Sequence, residues 1–138
     1  MSELTELGKK AKAASYEMNR LGTDAKNKAL LAVADALVRH SSEILKGNRV
    51  DLENGEKNGM SPALMDRLRL TEERIQGIAE GVRQVAALED PVGEIISMKR
   101  RPNGLQIGQM RVPIGVIGII YESRPNVTVD SFALTFKA

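Results

Sequence analysis

The stretch GVIGIIYESRPNVTVD, Gly115 to Asp130, limits the possible folds more than any other part of the chain. After Pro113, residues Ile114, Val116, Ile117, Ile119 and Ile120 put β-branched apolar groups on both faces of an extended segment. A strand of that kind needs neighbours at both edges and cover on both faces, the situation of a central parallel strand in an α/β sheet. Gly115 and Gly118 leave room for another backbone to come close. The run breaks off at Tyr121 into Glu122, Ser123, Arg124, Pro125 and Asn126, and from Val127 the sequence reads as the start of a helix. Open α/β sheets gather ligands where strands end and loops lead into helices, so residues 122–126 are the expected site loop. Only one such strand is found, and one strand cannot make a parallel sheet. The expectation is an incomplete α/β chain.

The first ninety residues have a different period. Leu4, Leu7, Ala11, Ala14, Met18 and Leu21 recur at steps of three and four, the stripe of an amphipathic helix. Gly22 is read as its end, and Thr23 as the cap of a second helix with Leu30, Val33, Ala34, Leu37 and Val38 inward. Ser41 or Ser42 is expected to cap a third segment, which the breaker cluster NGEKNG at 54–59 should close. Ser61 before Pro62 predicts a short helix. Thr71 predicts the cap of a longer one, with Glu72 and Glu73 at its positive end and Ile75, Ile78, Val82 and Val85 as its stripe.

Beyond Asp90-Pro91 the period becomes that of strands. Glu94–Arg100 and Leu105–Val112 flank Arg101-Pro102-Asn103-Gly104, whose turn chemistry predicts a β-hairpin. Neither face of it is cleanly apolar, which suits a ribbon projecting from the main body.

Composition narrows the function. Aromatics make up 3% of the chain, with no Trp, so aliphatic residues must carry the packing. A net charge of +2 does not imply a polyanionic partner. The cluster Lys99, Arg100, Arg101 lacks the interleaved aromatics that stack bases, so no nucleic-acid partner is expected. No apolar run approaches the ~18 residues of a membrane span, and the N-terminus lacks the pattern of a signal peptide. The absence of cysteine fits a reducing compartment, and a cytoplasmic location is expected. His40 reads as a favourable charge near a helix C-terminus. With no cysteine and no second histidine, no metal site is expected.

VRQVAALEDPVGE, RPNGLQIGQMRVPIGVIGIIYESRPNVTVD and the helical N-terminus together resemble the γ-glutamyl phosphate reductases (glutamate-5-semialdehyde dehydrogenases) of the aldehyde dehydrogenase superfamily. The resemblance covers the whole chain but only the N-terminal third of a family member. It implies a Rossmann-like parallel sheet of which residues 113–138 give the first strand, the site loop and a helix start. Residues 1–90 would then be the helical part of a cofactor-binding domain, and 91–112 an oligomerisation hairpin. The implied activity is NADPH-dependent reduction of γ-glutamyl phosphate in proline biosynthesis, through a cysteine thioester supplied by downstream sequence, in a homo-oligomeric enzyme. The 138 residues alone are expected to be inactive.

The resemblance also suggests roles for single residues. Asn126 is a candidate donor to the oxyanion of the tetrahedral intermediate, or else an Asx cap on the helix that follows. Arg124 suits an acyl phosphate or an α-carboxylate, or else pairs with Glu122 or Asp130. Ser123 could donate to the same ligand or serve only the turn. Ile120 and Tyr121 resemble positions lining a nicotinamide pocket, and Tyr121 equally suits a plain core role. The alternative to a catalytic part is a non-catalytic interaction module that pairs with a full-length homologue or with itself.

Overall fold

The computed structural model describes residues 2–122 and 124–138. It contains α1 (Glu3–Met18), α2 (Thr23–Arg39), α3 (Ser41–Lys57), α4 (Pro62–Leu68), α5 (Glu72–Ala87), the strands β1 (Ile95–Arg100) and β2 (Gln106–Met110), and α6 (Pro125–Lys137). No helix among these residues is long and apolar enough to cross a membrane.

The core lies where α2, α5 and α6 meet. Leu30 and Ala34 of α2, Ala79, Val82 and Ala86 of α5, and Ala133 of α6 form one buried cluster. Four of these six are alanine. Small side chains at the crossings let the helix backbones approach closely, while Leu37, Val38, Val85, Val129 and Phe136 fill the margins. The expected stripe of α5 is present, but its fully buried members are Ile75, Ala79, Val82 and Ala86. Helix α1 keeps its amphipathic pattern and its Ser2 cap, yet buries none of its residues, and Leu4 and Leu7 are open to solvent.

Two expected caps are in place. The Ser61 hydroxyl accepts from the Leu64 amide at 3.4 Å, and that of Thr71 from the Arg74 amide at 3.1 Å. Two others differ. Gly22, not Thr23, caps α2, which frees the Thr23 hydroxyl to donate to Asp90 Oδ2 at 3.0 Å. The backbone of His40 joins α2 directly to α3, so Ser41 and Ser42 lie within the first turn. Helix α3 also runs through most of NGEKNG, ending at Lys57 before Gly59 takes a left-handed φ of 69°. The reason is packing: a Cβ on Gly55 would stand 2.8 Å from the Met65 sulfur, so this glycine serves the close approach of α4.

The hairpin forms with the expected turn. Strands β1 and β2 are antiparallel, with Arg100 opposite Gln106 and Ser97 opposite Gln109, and the register shifts between Ile95 and Ser97. The turn closes through Arg101 N to Leu105 O at 2.8 Å, with Gly104 at φ 87° and Asn103 Oδ1 accepting from Leu105 N. Apart from half-buried Ser97, the ribbon is exposed.

The expected buried parallel strand is not formed. Residues 112–122 belong to no strand, and Ile114 and Ile120 are 84% and 102% exposed. The two strands among the described residues pair only with each other, so this segment has no ladder to join. Helix α6 begins at Pro125, earlier than expected, because proline at its first position already has the helical φ and lacks the N–H that would go unpaired there.

Candidate functional site

A cleft of about 530 Å³ opens between the α4–α5 turn and the start of α6. Arg124, Pro125, Asn126 and Asp130 line one wall, and Asp66, Arg67, Arg69, Leu70, Arg74, Gly77 and Ile78 line the other. Two of the expected site residues, Arg124 and Asn126, therefore share one cavity.

Asn126 is inside the first turn of α6, so it does not cap the helix; the residue at the cap is Arg124. The Asn126 amide donates to Asp130 Oδ2, one turn on, at 3.0 Å. Since a carboxamide has two N–H bonds, that contact fixes the rotamer and leaves one donor for a ligand. Arg124 makes no ion pair with Glu122 or Asp130 among the described residues, and it lines the cleft. Ser123 lies outside the described residues. Ile120 and Tyr121 are not among the lining groups. The Tyr121 hydroxyl is 2.6 Å from Thr128 Oγ1, which ties the end of the extended segment to α6. No group of three or more His, Cys, Asp or Glu among the described residues could hold a metal.

The second wall was not foreseen from the sequence. Asp66, Arg67, Arg69 and Arg74 all lie in the stretch MDRLRLTEER, where arginines at 67 and 69 directly precede the Thr71 cap. That alternation was the available signal. Arg74 is held by the Asp66 and Arg69 carbonyls and by Asp66 Oδ1 at 3.0 Å. From below, buried Asn48 donates to Leu68 O and accepts from Leu70 N, both at 2.8 Å. The turn that presents Arg67 and Arg69 is thus clamped at four backbone positions, Asp66, Leu68, Arg69 and Leu70.

The fold and this cleft define an α/β chain with an arginine-rich polar site at the head of a helix. No family model matches the chain. It does resemble curated proteins named gamma-glutamyl phosphate reductase along essentially its whole length. The relative from Halothermothrix orenii is 57% identical over 129 residues, which is 94% of this chain and 31% of that protein. The one from Carboxydothermus hydrogenoformans is 58% identical over all 138 residues, 33% of its own length. Crystal structures of gamma-glutamyl phosphate reductases agree. That from Thermotoga maritima matches 99% of the chain at a TM-score of 0.96 and 44% identity, and that from Saccharomyces cerevisiae at 0.93 and 30%. The chain spans about a third of the length of the relatives it matches.

Proposed function

We propose that the chain works as the N-terminal part of an NADPH-dependent reductase that converts γ-glutamyl phosphate to glutamate-5-semialdehyde in proline biosynthesis, in the cytoplasm. One observation carries this reading: identity of 57–58% over essentially the whole chain to proteins named for that reaction. The placement of Arg124 and Asn126 on one wall of a cleft supports it.

The reaction replaces the phosphate of an acyl phosphate by hydride. A cysteine from outside this chain attacks the γ-carbonyl carbon and phosphate leaves, giving a thioester; hydride addition and loss of the thiolate then release the aldehyde. Both steps pass through a tetrahedral oxyanion. The free N–H of Asn126 donates to that oxygen, and the contact with Asp130 holds the amide aimed in advance. Arg124 binds the phosphoryl oxygens through its planar fork and stabilises the charge on the departing phosphate.

NADPH, when bound, supplies the hydride. The residues here fit one part of it. By the resemblance, Ile120 and Tyr121 would line its nicotinamide pocket in the complete protein, and the Tyr121 hydroxyl is already tied to Thr128. In the complete protein, residues 114–120 form the first strand of a Rossmann-like sheet, and the exposed apolar side chains of Ile95, Ile96, Met98, Ile107 and Met110 make the hairpin an oligomerisation element.

The experiment is to join this chain to the remaining two thirds of a curated relative and to follow NADPH oxidation with γ-glutamyl phosphate. The joined protein is expected to turn over, and the 138 residues alone, which contain no cysteine, are not. An inactive but well-folded fusion overturns the reading.

A further inference from the structure

The charges lining the cleft have mixed signs. Arg74 and Asp66 engage each other at 3.0 Å, which leaves Arg67, Arg69 and Arg124 as guanidinium groups with no hydrogen-bond or ion-pair partner among the described residues. The remaining carboxylate is Asp130, which accepts from Asn126. A site for phosphate alone would be weakened by that carboxylate. A zwitterion suits both signs, with its carboxylate on guanidinium and its ammonium on Asp130.

The spacing agrees. In a γ-acyl amino acid, four bonds of about 1.5 Å each separate the acyl carbon from the amino nitrogen, about 5 Å when extended. The Asn126 amide and the Asp130 carboxylate are 3.0 Å apart on one helix face. A ligand with its acyl oxygen on Asn126 is therefore long enough for its ammonium to reach Asp130, and Arg67 and Arg69 line the same cleft.

We propose that Arg67 and Arg69 bind the α-carboxylate of the substrate and Asp130 its α-ammonium, leaving Arg124 to the phosphoryl group. This rests on the reductase reading and makes the α4–α5 turn the element that selects an amino acid over a simple acyl compound. Both arginines are exposed, so replacing them leaves the core untouched.

The test is calorimetric titration of L-glutamate, and of glutarate (which lacks the amine), into the full-length protein. The wild type is expected to prefer L-glutamate. The Arg67→Gln/Arg69→Gln variant should weaken both ligands about ten-fold or more, the usual loss for a charge-assisted hydrogen bond. Asp130→Asn should abolish the preference for glutamate while keeping glutarate binding. Absent glutamate binding, or binding unchanged in the double variant, overturns the proposal. Failure of NADPH-dependent turnover would instead overturn the reductase reading, since the titration does not depend on activity.

Discussion

The ammonium of Lys26, near the start of α2, lies 2.7 Å from the carboxylate of Asp90 just beyond α5, and both side chains are more than nine-tenths buried. The same ammonium donates to the Lys137 carbonyl at 2.8 Å, and Lys137 in turn donates to Ala86 O at 3.0 Å and to Asn27. Two lysines thus bind α2, α5 and α6 together beside the alanine core. Lys26→Met should destabilise the fold by about 3 kcal/mol or more, because it leaves the Asp90 carboxylate buried without its counter-charge. The urea midpoint of the helical signal reads this, and a change below about 1 kcal/mol would show that the pair is not needed.

The same pair sets an acid limit. Burial by itself would raise the Asp90 pKa, but hydrogen bonds from Lys26, the Val92 amide and Thr23, together with the Lys26 charge, more than offset it and hold the carboxyl below its usual 3.8. A carboxylate depressed in the folded state adds stability that is fully present above the unfolded pKa and is lost as pH falls through the folded one. Stability is therefore expected to decline below about pH 4. In Asp90→Asn that part of the decline should vanish, as a pair of urea titrations at about pH 3 and pH 6 will tell.

Asn48 uses both ends of its amide on the turn between α4 and α5. Asn48→Asp keeps the acceptor for Leu70 N but turns an oxygen toward the Leu68 carbonyl. A loss of about 1–3 kcal/mol is expected, the cost of an unsatisfied buried group. Because the turn carries Arg67 and Arg69, ligand affinity should fall as well. Unchanged melting together with unchanged affinity would contradict this.

Glycines inside helices differ in their surroundings. A Cβ added to Gly81 would meet nothing within 4 Å, whereas one on Gly55 would meet the Met65 sulfur at 2.8 Å. Gly81→Ala should stabilise by about 0.8–1 kcal/mol through helix propensity. Gly55→Ala should gain less or lose outright, since buried Met65 must move. Thermal melts of the two variants side by side decide the ranking.

On the proposed reductase reading, Asn126→Ala in the full-length protein should lower kcat about 100-fold or more with a smaller effect on KM, as expected for a donor that acts on the transition state. A kcat within a factor of about two of wild type would remove Asn126 from the chemistry.

Much of the fold was legible because its signals are local. Proline with Asn-Gly specifies the hairpin turn, and Ser61 and Thr71 sit one residue before their helices. The breaker cluster NGEKNG does close α3, but at Asn58 and Gly59 and not at its first glycine, because Gly55 answers to Met65 on the next helix. The apolar run at 114–120 predicts a strand, but pairing depends on partners that a single segment does not specify, and no strand forms there. At the site, Arg124 and Asn126 stood out through the abrupt end of an apolar run. Arg67 and Arg69 did not, because the α4–α5 turn comes to face α6 only through tertiary packing. Nor do Lys26 and Lys137 carry any mark in the sequence of being buried: the groups that satisfy them are 51 to 111 positions away.

Those separations give the polar knot a place in time. Asn27 and Lys137 are 110 residues apart, and a ribosome adds about 5–20 residues per second. Helix α2 therefore leaves the ribosome many seconds before the helix that closes over it. Throughout that interval the face of Leu30 and Ala34 lacks part of its cover, and the Lys26 ammonium lacks the carbonyl it will hold. The nascent chain is most open to capture by a chaperone in that window, which ends only when α6 has been made.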